Sequence, residues 1–238
     1  MDMKWDVRLA ERKEALRDFF GGEEGDLLSD EMFGNLLQFE QLMLKYRSAI
    51  REVTTKLEIL NDELSSPMAR NPIESIQSRI KRPYSISRKL KKIGCPVAVE
   101  SIAENLNDVA GIRVICPFIS DIYDVATMLL RQDDIILISR KDYIQNPKSN
   151  GYRSLHLIIG IPVFFSTQKE IIRVEIQIRT VAMDFWASLE HQLYYKNNDK
   201  VDEDIVRELY LCAETIAQTD RKMQQLRDRI EGKSDNSL

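Results

Sequence analysis

Two short stretches of the sequence carry hydrogen-bonding and titratable side chains at every second position. In residues 173–179 the polar residues alternate with valine and isoleucine, which predicts a strand with one polar and one apolar face. In residues 152–159 a similar alternation follows a turn at Asn150-Gly151. If the two strands pair in one sheet, their shared polar face collects Tyr152, Ser154, His156, Arg173, Glu175, Gln177 and Arg179.

This polar face has two interpretations. An antiparallel sheet often leaves one face in water, so polar alternation in a single strand is explained by solvation alone. His156 could be a hydrogen-bonded structural histidine, and Tyr152 could cover a sheet edge or stack on a base. Two neighbouring strands that both present such groups favour a functional site.

Two carboxylates stand where they could hold a metal ion. Asp108 precedes a predicted strand, and Glu175 lies within one. Mg²⁺ is a hard ion that takes one or two protein carboxylates together with substrate phosphates. The structural alternative is that Asp108 is a turn residue and that Glu175 forms an ion pair with Arg113 or Arg179.

A basic segment at 79–92 leads into a predicted helix. Arg or Lys stands at positions 79, 81, 82, 88, 89, 91 and 92, and the segment has no acidic residue. The chain has neither a Gly-x-x-x-x-Gly-Lys nor a Gly-x-Gly-x-x-Gly motif, so a phosphate site must use side chains. Triphosphate binding, RNA binding and a solvated charged face are all compatible with this segment.

The composition narrows the class of protein. The 238 residues are 43% hydrophobic and 30% charged, which is ordinary for a globular protein with a good core. A formal net charge of -4 argues against binding nucleic acid through overall charge. The sequence lacks an apolar run that could span a bilayer and an N-terminal signal-peptide pattern. The three widely spaced cysteines favour reduced thiols, so we expect a cytoplasmic protein without a membrane partner.

The elements that must position these residues follow from periodicity and turn residues. Strands are predicted at 112–116, 135–138, 152–159 and 173–179, with Gly160-Ile161-Pro162 ending the third. Helices are predicted at 3–20, from about Phe33 to Leu64, within 79–92, over 98–107, from a Ser120-Asp121 cap to about Arg131, from Thr180 to about Tyr195, and over 203–231. The pattern is α+β: a mixed central sheet of about five strands flanked by helices, with long helices near both termini.

The two long helices each carry an apolar heptad pattern. The first runs through Phe39, Met43, Tyr46, Ile50, Val53, Leu57, Leu60 and Leu64, and the second through Ile205, Leu209, Cys212, Ile216, Thr219, Met223, Leu226 and Ile230. Between them, the helix after Thr180 is predicted to bury Ala182, Trp186, Leu189 and Leu193. Each long stripe needs an apolar partner, either within the chain or on another copy of it.

Taken together, several stretches resemble the synthetase domain of the RelA/SpoT superfamily, and more narrowly the small alarmone synthetases of the RelP-like type. They span about 75–196 and stand in the order of that family. They are Ser78-Arg79-Ile80-Lys81 with Ser85 and Lys89, Asp108-Val109-Ala110-Gly111-Ile112-Arg113, Lys141-Asp142-Tyr143-Ile144, Asn150-Gly151-Tyr152-Arg153-Ser154-Leu155-His156, Glu175-Ile176-Gln177-Ile178-Arg179-Thr180 and Met183-Asp184-Phe185-Trp186.

The resemblance implies a nucleotidyltransferase-like synthetase fold and a GTP diphosphokinase. ATP would give its β,γ-diphosphate to the ribose 3′-hydroxyl of GTP or GDP, leaving AMP and the alarmone (p)ppGpp of the stringent response. The residues that match the family motifs would then have defined roles. Arg79 and Arg113 would sandwich adenine, and Lys81, Ser85, Lys89 and Lys92 would hold the ATP phosphates. Asp108 and Glu175 would bind Mg²⁺, with Glu175 also taking the proton of the 3′-hydroxyl. Tyr152 would stack on guanine, and Lys148, Asn150, His156 and Gln177 would fix the acceptor nucleotide.

The same resemblance implies a domain organisation and an assembly. A helical extension at 1–66 would precede a catalytic domain at 67–198, and a C-terminal oligomerisation helix would follow at 199–238. The small alarmone synthetases that this chain resembles form homotetramers through terminal helices, so we expect a homotetramer. RNA binding is compatible with the basic segment but is not predicted.

Two departures from the wider family limit what is expected. Its larger members join an alarmone hydrolase that depends on a His-Asp pair, whereas the two histidines here precede Leu157 and Gln192, so we expect a synthetase without hydrolase activity. Small synthetases that are activated by their product have an aromatic residue shortly before the Arg-x-Lys and an Asn before the Phe-Trp. Here residues 73–78 contain no aromatic and Asp184 replaces the Asn, so product activation is not expected.

Overall fold

The computed structural model describes residues 30–65, 70–196 and 203–232. The predicted helix at 3–20 lies outside these ranges. The helices within them are α1 (Asp30–Leu64), α2 (Pro83–Lys92), α3 (Val99–Asn105), α4 (Ile119–Leu130), α5 (Val181–Lys196) and α6 (Glu203–Ile230). The strands are β1 (Ser75–Ile80), β2 (Ala110–Cys116), β3 (Ile136–Asp142), β4 (Leu155–Phe164) and β5 (Lys169–Thr180).

The five strands form one mixed sheet in the order β1-β2-β5-β4-β3. β2 and β5 are parallel, and every other neighbouring pair is antiparallel. Because parallel neighbours need a crossover, the chain passes through α4, β3 and β4 between β2 and β5. The predicted α+β class, with a mixed sheet flanked by helices and long helices near both ends, is confirmed.

One face of the sheet forms the main core. The aliphatic residues of β4 and β5 are buried there as predicted, among them Leu157 and Ile176. Helix α1 contacts β1, β2, β4 and β5, and its heptad residues Met43, Val53 and Leu57 are buried in the same core. The first heptad pattern is therefore satisfied by the sheet of its own chain.

The strand predictions differ from the structure in several places: β3 continues to Asp142, β4 begins only at Leu155, and β5 begins already at Lys169. β1 was not predicted, because it is an edge strand whose middle residues Gln77, Ser78 and Arg79 are exposed and show no apolar alternation. β4 does not end at Gly160-Ile161-Pro162 but continues to Phe164. The pairing with β3 stops at Gly160, so Pro162 lies where that side of β4 is open and a missing N–H is tolerated.

The helix predictions were also wrong in places. Ser120-Asp121 is not the cap of α4: Phe118 is the N-cap, and the Asp121 carboxylate in the first turn accepts a hydrogen bond from the Phe118 N–H at 3.2 Å. On α5, Trp186 is buried as predicted, but Leu189 and Leu193 are 42% and 48% exposed. The stripe is shorter than predicted because α5 packs on the end of the sheet and on α6 mainly through its first half.

Helix α6 packs through residues that its heptad pattern did not identify. Ala213, Ala217 and Asp220 are buried against the rest of the chain, and Trp186 Nε1 donates to the Leu209 carbonyl at 3.0 Å. Most of the predicted stripe, including Ile205, Cys212, Thr219, Met223, Leu226 and Ile230, faces outward and is exposed. None of the described helices combines the length and apolar character needed to cross a lipid bilayer.

Candidate active site

The polar face of the sheet is arranged as two rows of residues that lie side by side across neighbouring strands. Glu175 of β5 is opposite Gly111 of β2, which is opposite Arg79 of β1. One step along, Gln177 is opposite Arg113 on one side and His156 of β4 on the other. The sheet thereby brings together residues from four separate strands. An open cleft on this face is lined by Gln77, Ser78, Arg79, Gly111, Ile112, Arg113, Glu175 and Gln177.

Gly111 gives the cleft its floor. A Cβ at this position would meet Arg79 Cγ at 3.5 Å and Arg79 Nε at 3.6 Å, so the Arg79 side chain lies directly over the glycine. Glu175, opposite Gly111 on the neighbouring strand, lines the same cleft.

Glu175 is half-buried and held by neighbours on the same face. Its Oε2 accepts a hydrogen bond from Gln177 Nε2 at 3.0 Å, and its Oε1 lies 3.4 Å from His156 Nδ1. Burial alone would raise the pKa of Glu175, but hydrogen bonds from His156 and Gln177 and the charge of His156 outweigh burial and lower it. Glu175 does not form the ion pair with Arg113 or Arg179 that was the structural alternative. Both arginines form ion pairs with Asp184 instead.

Asp108 lies in the turn before β2, next to two lysines. Its Oδ2 is 2.6 Å from Lys81 Nζ and 2.7 Å from Lys89 Nζ. Burial would raise the pKa of Asp108, but the two lysines overcome burial and lower it. The other oxygen, Oδ1, is buried and has no hydrogen-bond partner among the described residues. Asp108 is therefore an ionised carboxylate with one oxygen left to bind a ligand.

These two carboxylates fit the coordination preferences of Mg²⁺. Within the described ranges there is no cluster of three or more His, Cys, Asp or Glu side chains that would form a complete protein metal site. Mg²⁺ does not need one, since it takes one or two carboxylates and completes its shell with phosphates and water. The charge of Asp108 acts on Glu175 in the direction that raises its pKa, although the net shift is downward, so the two carboxylates interact.

The basic segment divides between a strand end and a helix. Arg79 belongs to β1, Lys81 follows it, and Ser85, Lys89 and Lys92 belong to α2. Lys81 is held beside β2 by its backbone N–H, which donates to the Val109 carbonyl at 2.9 Å. Lys81 and Lys89 converge on Asp108, whereas Lys92 is exposed at the end of the helix.

Residues 148–153, which we call the Gly151 turn, present Tyr152 to the polar face. Gly151 has a φ of 85°, and a Cβ there would lie 2.5 Å from Ala213 Cβ of α6, so the turn backbone packs directly on that helix. Asn150 holds the turn at both ends of its amide: Oδ1 accepts from Tyr152 N at 3.2 Å, and Nδ2 donates to Glu190 at 3.1 Å.

Tyr152 is surrounded by polar and aromatic groups. Its hydroxyl is 2.8 Å from His156 Nε2, and its ring makes an edge contact with Tyr143 at a centroid distance of 6.0 Å. Lys148 Nζ lies 4.7 Å from the Tyr143 ring centroid and 4.6 Å from that of Tyr152. The predicted residues Lys148, Tyr152 and His156 thus form one cluster.

Several residues of the site were not among the predicted ones. Gln77 lines the cleft and lies opposite Arg113, and it would have been identified had β1 been recognised. Tyr143 contacts both Tyr152 and His156 and stands in one of the motifs. Arg179 and Asp184 link the two sides of the site, but a contact between a strand residue and a helix residue leaves no periodic signal in the sequence.

The stretch of sequence that forms this site matches a known protein family. A family described as the region found in RelA / SpoT proteins matches residues 78–200, which include both carboxylates, the basic segment after Ser78 and the Gly151 turn. The chain is also 44% identical over 189 residues to GTP pyrophosphokinase YwaC from Bacillus subtilis (strain 168), covering 79% of this chain and 90% of that protein. The chain belongs to the RelA/SpoT family.

Solved structures of small RelA/SpoT-family proteins share the fold. The small alarmone synthetase 2 from Bacillus subtilis is 44% identical and superposes with a TM-score of 0.73 over 80% of this chain and 97% of that one. The small alarmone synthetase 1 from Bacillus subtilis, bound to its product pppGpp, is 33% identical and has a TM-score of 0.76 over 81% of this chain and 98% of that one. The resemblance inferred from the motifs is confirmed at the level of the family.

Proposed function

We propose that this protein is a (p)ppGpp synthetase. It transfers the β,γ-diphosphate of ATP to the ribose 3′-hydroxyl of GTP or GDP, and it releases AMP. The relative named above is a GTP pyrophosphokinase, and a structural neighbour with the same fold binds pppGpp. The proposal starts from the reaction that the name of this relative states, and the geometry of the polar face supports the same reaction in this protein.

The observation that carries the proposal is the position of Glu175. It lines the cleft beside Arg79 and Arg113, and on its other side it contacts His156, which binds Tyr152. One carboxylate therefore lies where a donor nucleotide on the arginine side would meet an acceptor nucleotide on the tyrosine side. Transfer of a phosphoryl-type group depends mainly on such positioning and on charge neutralisation.

On the donor side, Arg79 and Arg113 hold adenine, and the triphosphate lies towards α2. Lys81, Ser85 and Lys89 bind its phosphates, with Lys92 further along the helix. Because Lys81 and Lys89 contact Asp108, the cations that neutralise phosphate charge stand directly beside a proposed metal ligand. On the acceptor side, Tyr152 stacks on guanine, and Lys148, Asn150, His156 and Gln177 fix the nucleotide.

The transfer step makes one bond and breaks one. The 3′-hydroxyl oxygen of GTP or GDP attacks the β-phosphorus of ATP, and the bond from that phosphorus to the oxygen bridging to the α-phosphorus breaks. AMP leaves with the bridging oxygen, and Glu175 takes the proton of the hydroxyl. A general base must be ionised to do this, and the lowered pKa of Glu175 keeps it ionised at neutral pH.

Asp108 and Glu175 are the residues that would hold Mg²⁺. When bound, the ion would neutralise negative charge on the transferred diphosphate. Asp108 Oδ1 is the oxygen best suited to bind it, because it is buried and has no hydrogen-bond partner among the described residues. The two lysines contact only Oδ2, so they hold the carboxylate in one orientation without occupying Oδ1.

The assembly and location of the enzyme form part of the same proposal. The exposed apolar stripe of α6 supports a homotetramer formed through terminal helices. We place the enzyme in the cytoplasm, where Cys95, Cys116 and Cys212, all free thiols, would remain reduced.

Two alternatives make different products or none. A nucleotidyltransferase would release pyrophosphate instead of AMP. An RNA-binding regulatory module would use the exposed side of α2, where Tyr84 is 76% exposed between Arg82 and Arg88, and would turn over no nucleotide. The paired Asp108 and Glu175 have no role in that module.

One experiment separates the three. The protein is incubated with Mg²⁺, ATP and, in parallel, GTP, GDP or GMP, and the nucleotides are resolved by chromatography. The proposal expects equal amounts of AMP and a guanosine carrying a 3′-diphosphate. Pyrophosphate as the product would support the nucleotidyltransferase. Salt-dependent RNA affinity without turnover would support the RNA-binding module.

A further inference from the structure

A chain of ion pairs and hydrogen bonds joins the donor side of the cleft to the acceptor side. Asp184 Oδ1 lies 3.2 Å from Arg113 NH1 and 3.1 Å from Arg179 NH1. Arg179 NH2 donates to the Tyr152 hydroxyl at 2.5 Å. We propose that Asp184 is a positioning residue that couples the two nucleotide subsites, acting on ATP through Arg113 and on GTP or GDP through Arg179 and Tyr152. This inference rests on the proposed function.

Asp184 forms ion pairs with two guanidinium groups, which repel each other. Arg113 and Arg179 both approach the same carboxylate oxygen, and each guanidinium raises the energy of the other. Without the carboxylate, two partly buried cations would face each other without compensation. The separation between the arginines is therefore set by Asp184, and a movement of either one is felt by the other.

The Arg179 end of the chain is rigid. The Arg179 side chain is only 5% exposed, so it cannot turn away into water. It also donates to Gln177 Oε1 at 2.8 Å and approaches Ser154 Oγ at 3.4 Å. With its fork fixed on three sides, Arg179 sets the position of the Tyr152 hydroxyl, and its guanidinium carbon lies 5.0 Å from the centroid of the tyrosine ring.

The Arg113 end is open to a ligand. Arg113 lines the cleft and is 30% exposed, and its buried Nε has no hydrogen-bond partner among the described residues. A base stacked on this guanidinium would restrict it in the orientation that Asp184 accepts. That restriction passes through Asp184 to Arg179 and then to Tyr152, the residue proposed to stack on guanine.

Asp184 is itself well anchored for this role. It lies in the first turn of α5, directly after the last residues of β5, and its neighbours Met183 and Trp186 are buried. The helix therefore fixes the carboxylate relative to the strand that carries Glu175, Gln177 and Arg179. Coupling between two sites is reciprocal, so ATP should tighten acceptor binding by the same factor as acceptor tightens ATP binding.

The test measures GDP affinity by calorimetry with and without α,β-methylene-ATP, in which the bond that must break is blocked. In the wild-type protein we expect the ATP analogue to strengthen GDP binding by at least about fivefold, within the usual range of coupling. Asp184→Asn should reduce this factor to below about twofold. Asp134→Asn, which removes a carboxylate paired with Lys56, should keep the wild-type factor, because neither residue lines the cleft.

A second variant interrupts the same chain at its other end. Tyr152→Phe keeps the ring but removes the hydroxyl that accepts from Arg179, so the factor by which the ATP analogue strengthens GDP binding should be lost, whatever the affinity of this variant for GDP alone. This variant also decides the matter if Asp184→Asn does not fold. The inference is overturned if the wild-type protein has no coupling, or if either folded variant retains the full wild-type factor. Failure of the proposed function would look different, because the wild-type protein would then form no AMP and no guanosine 3′-diphosphate.

Discussion

Glu175 and Gly111 occupy opposite positions on the parallel strands β5 and β2, and both line an open cleft together with Arg79. On its other side Glu175 is restrained by Gln177 and His156. A half-buried carboxylate with open space on one side and hydrogen-bonding neighbours on the other is suited to act on a ligand.

Replacing Glu175 should abolish most of the turnover. Glu175→Gln keeps the size of the side chain but removes its charge and most of its basicity, and a positioned base contributes typically 10²–10⁴-fold. We expect kcat to fall by about a hundredfold or more, while the melting temperature and the binding of an ATP analogue change little. Glu170→Gln on the same strand, which removes a partner of Lys45, is the matched control. Near wild-type turnover by Glu175→Gln would remove the centre of the mechanism.

Tyr152 should contribute directly to acceptor binding, whereas the binding of ATP alone should not depend on it. Stacking on a base is worth about 1–3 kcal/mol by alanine substitution, so Tyr152→Ala should raise the KM for GTP or GDP by about tenfold or more. With no ATP present, Tyr152→Phe should keep most of the acceptor affinity, because the ring face makes the contact. Steady-state kinetics tests the first change, and calorimetry with ATP or acceptor alone tests the second. Equal losses for ATP and acceptor would mean that Tyr152 only supports the strand.

Asp220 should make the protein less stable as the pH rises. Burial raises the pKa of Asp220 above its ordinary 3.8, although Thr180 Oγ1 donates to it at 2.6 Å. The unfolded chain therefore ionises at lower pH than the folded one, so stability is lost as pH rises from about 3.8 through the folded pKa. Asp220→Asn keeps an acceptor for Thr180 and removes the buried charge. Its melting temperature should exceed that of the wild type at pH 7, with the difference vanishing towards pH 3.5.

A control for that prediction lies on the same helix. Asp228 of α6 accepts from Gln224 at 2.8 Å and does not contact Thr180. Asp228→Asn should therefore not reproduce the gain in melting temperature expected of Asp220→Asn. If Asp220→Asn were less stable than the wild type at neutral pH, the ionised carboxylate would be a favourable partner of Thr180.

The exposed stripe of α6 should carry the assembly. Met223 and Leu226 are 50% and 41% exposed in the single chain, and Ile230 follows on the same side. We expect light scattering to give a tetramer at micromolar concentration, and Met223→Glu to shift it towards smaller species. Ile59 of α1 is 59% exposed, and Ile59→Glu should leave the mass unchanged. A protein that is monomeric at micromolar concentration would end this proposal.

The sequence predicted those elements correctly whose pattern is contained within the element itself. The polar face of β4 and β5 was predicted correctly, because a period of two places Glu175, Gln177 and His156 on one face whatever the partners are. β1 escaped because an edge strand with both faces partly in water needs no apolar alternation. The first heptad pattern was recognised, but its partner, the sheet, could not be distinguished from another helix.

The roles of single residues were harder to predict than the elements. Asp184 follows Arg179 by only five positions, yet their contact depends on how α5 leaves the sheet. Asn150 is proposed to fix the acceptor nucleotide, and the sequence did not reveal that its amide also holds the Gly151 turn. Such roles arise from the tertiary arrangement, and residue type and spacing do not reveal them.

The contact between Gly151 and Ala213 has a consequence for how this protein can be shortened. A fragment limited to the family-matched residues 78–200 would keep every residue assigned here to nucleotide or metal binding. It would lack α6, and with it the surface against which the Gly151 turn is pressed. The turn carries Tyr152, so its backbone would lose the support that now restricts it to one position. The family-matched region is thus not a self-sufficient unit, because the turn that carries Tyr152 is supported by a helix from outside it.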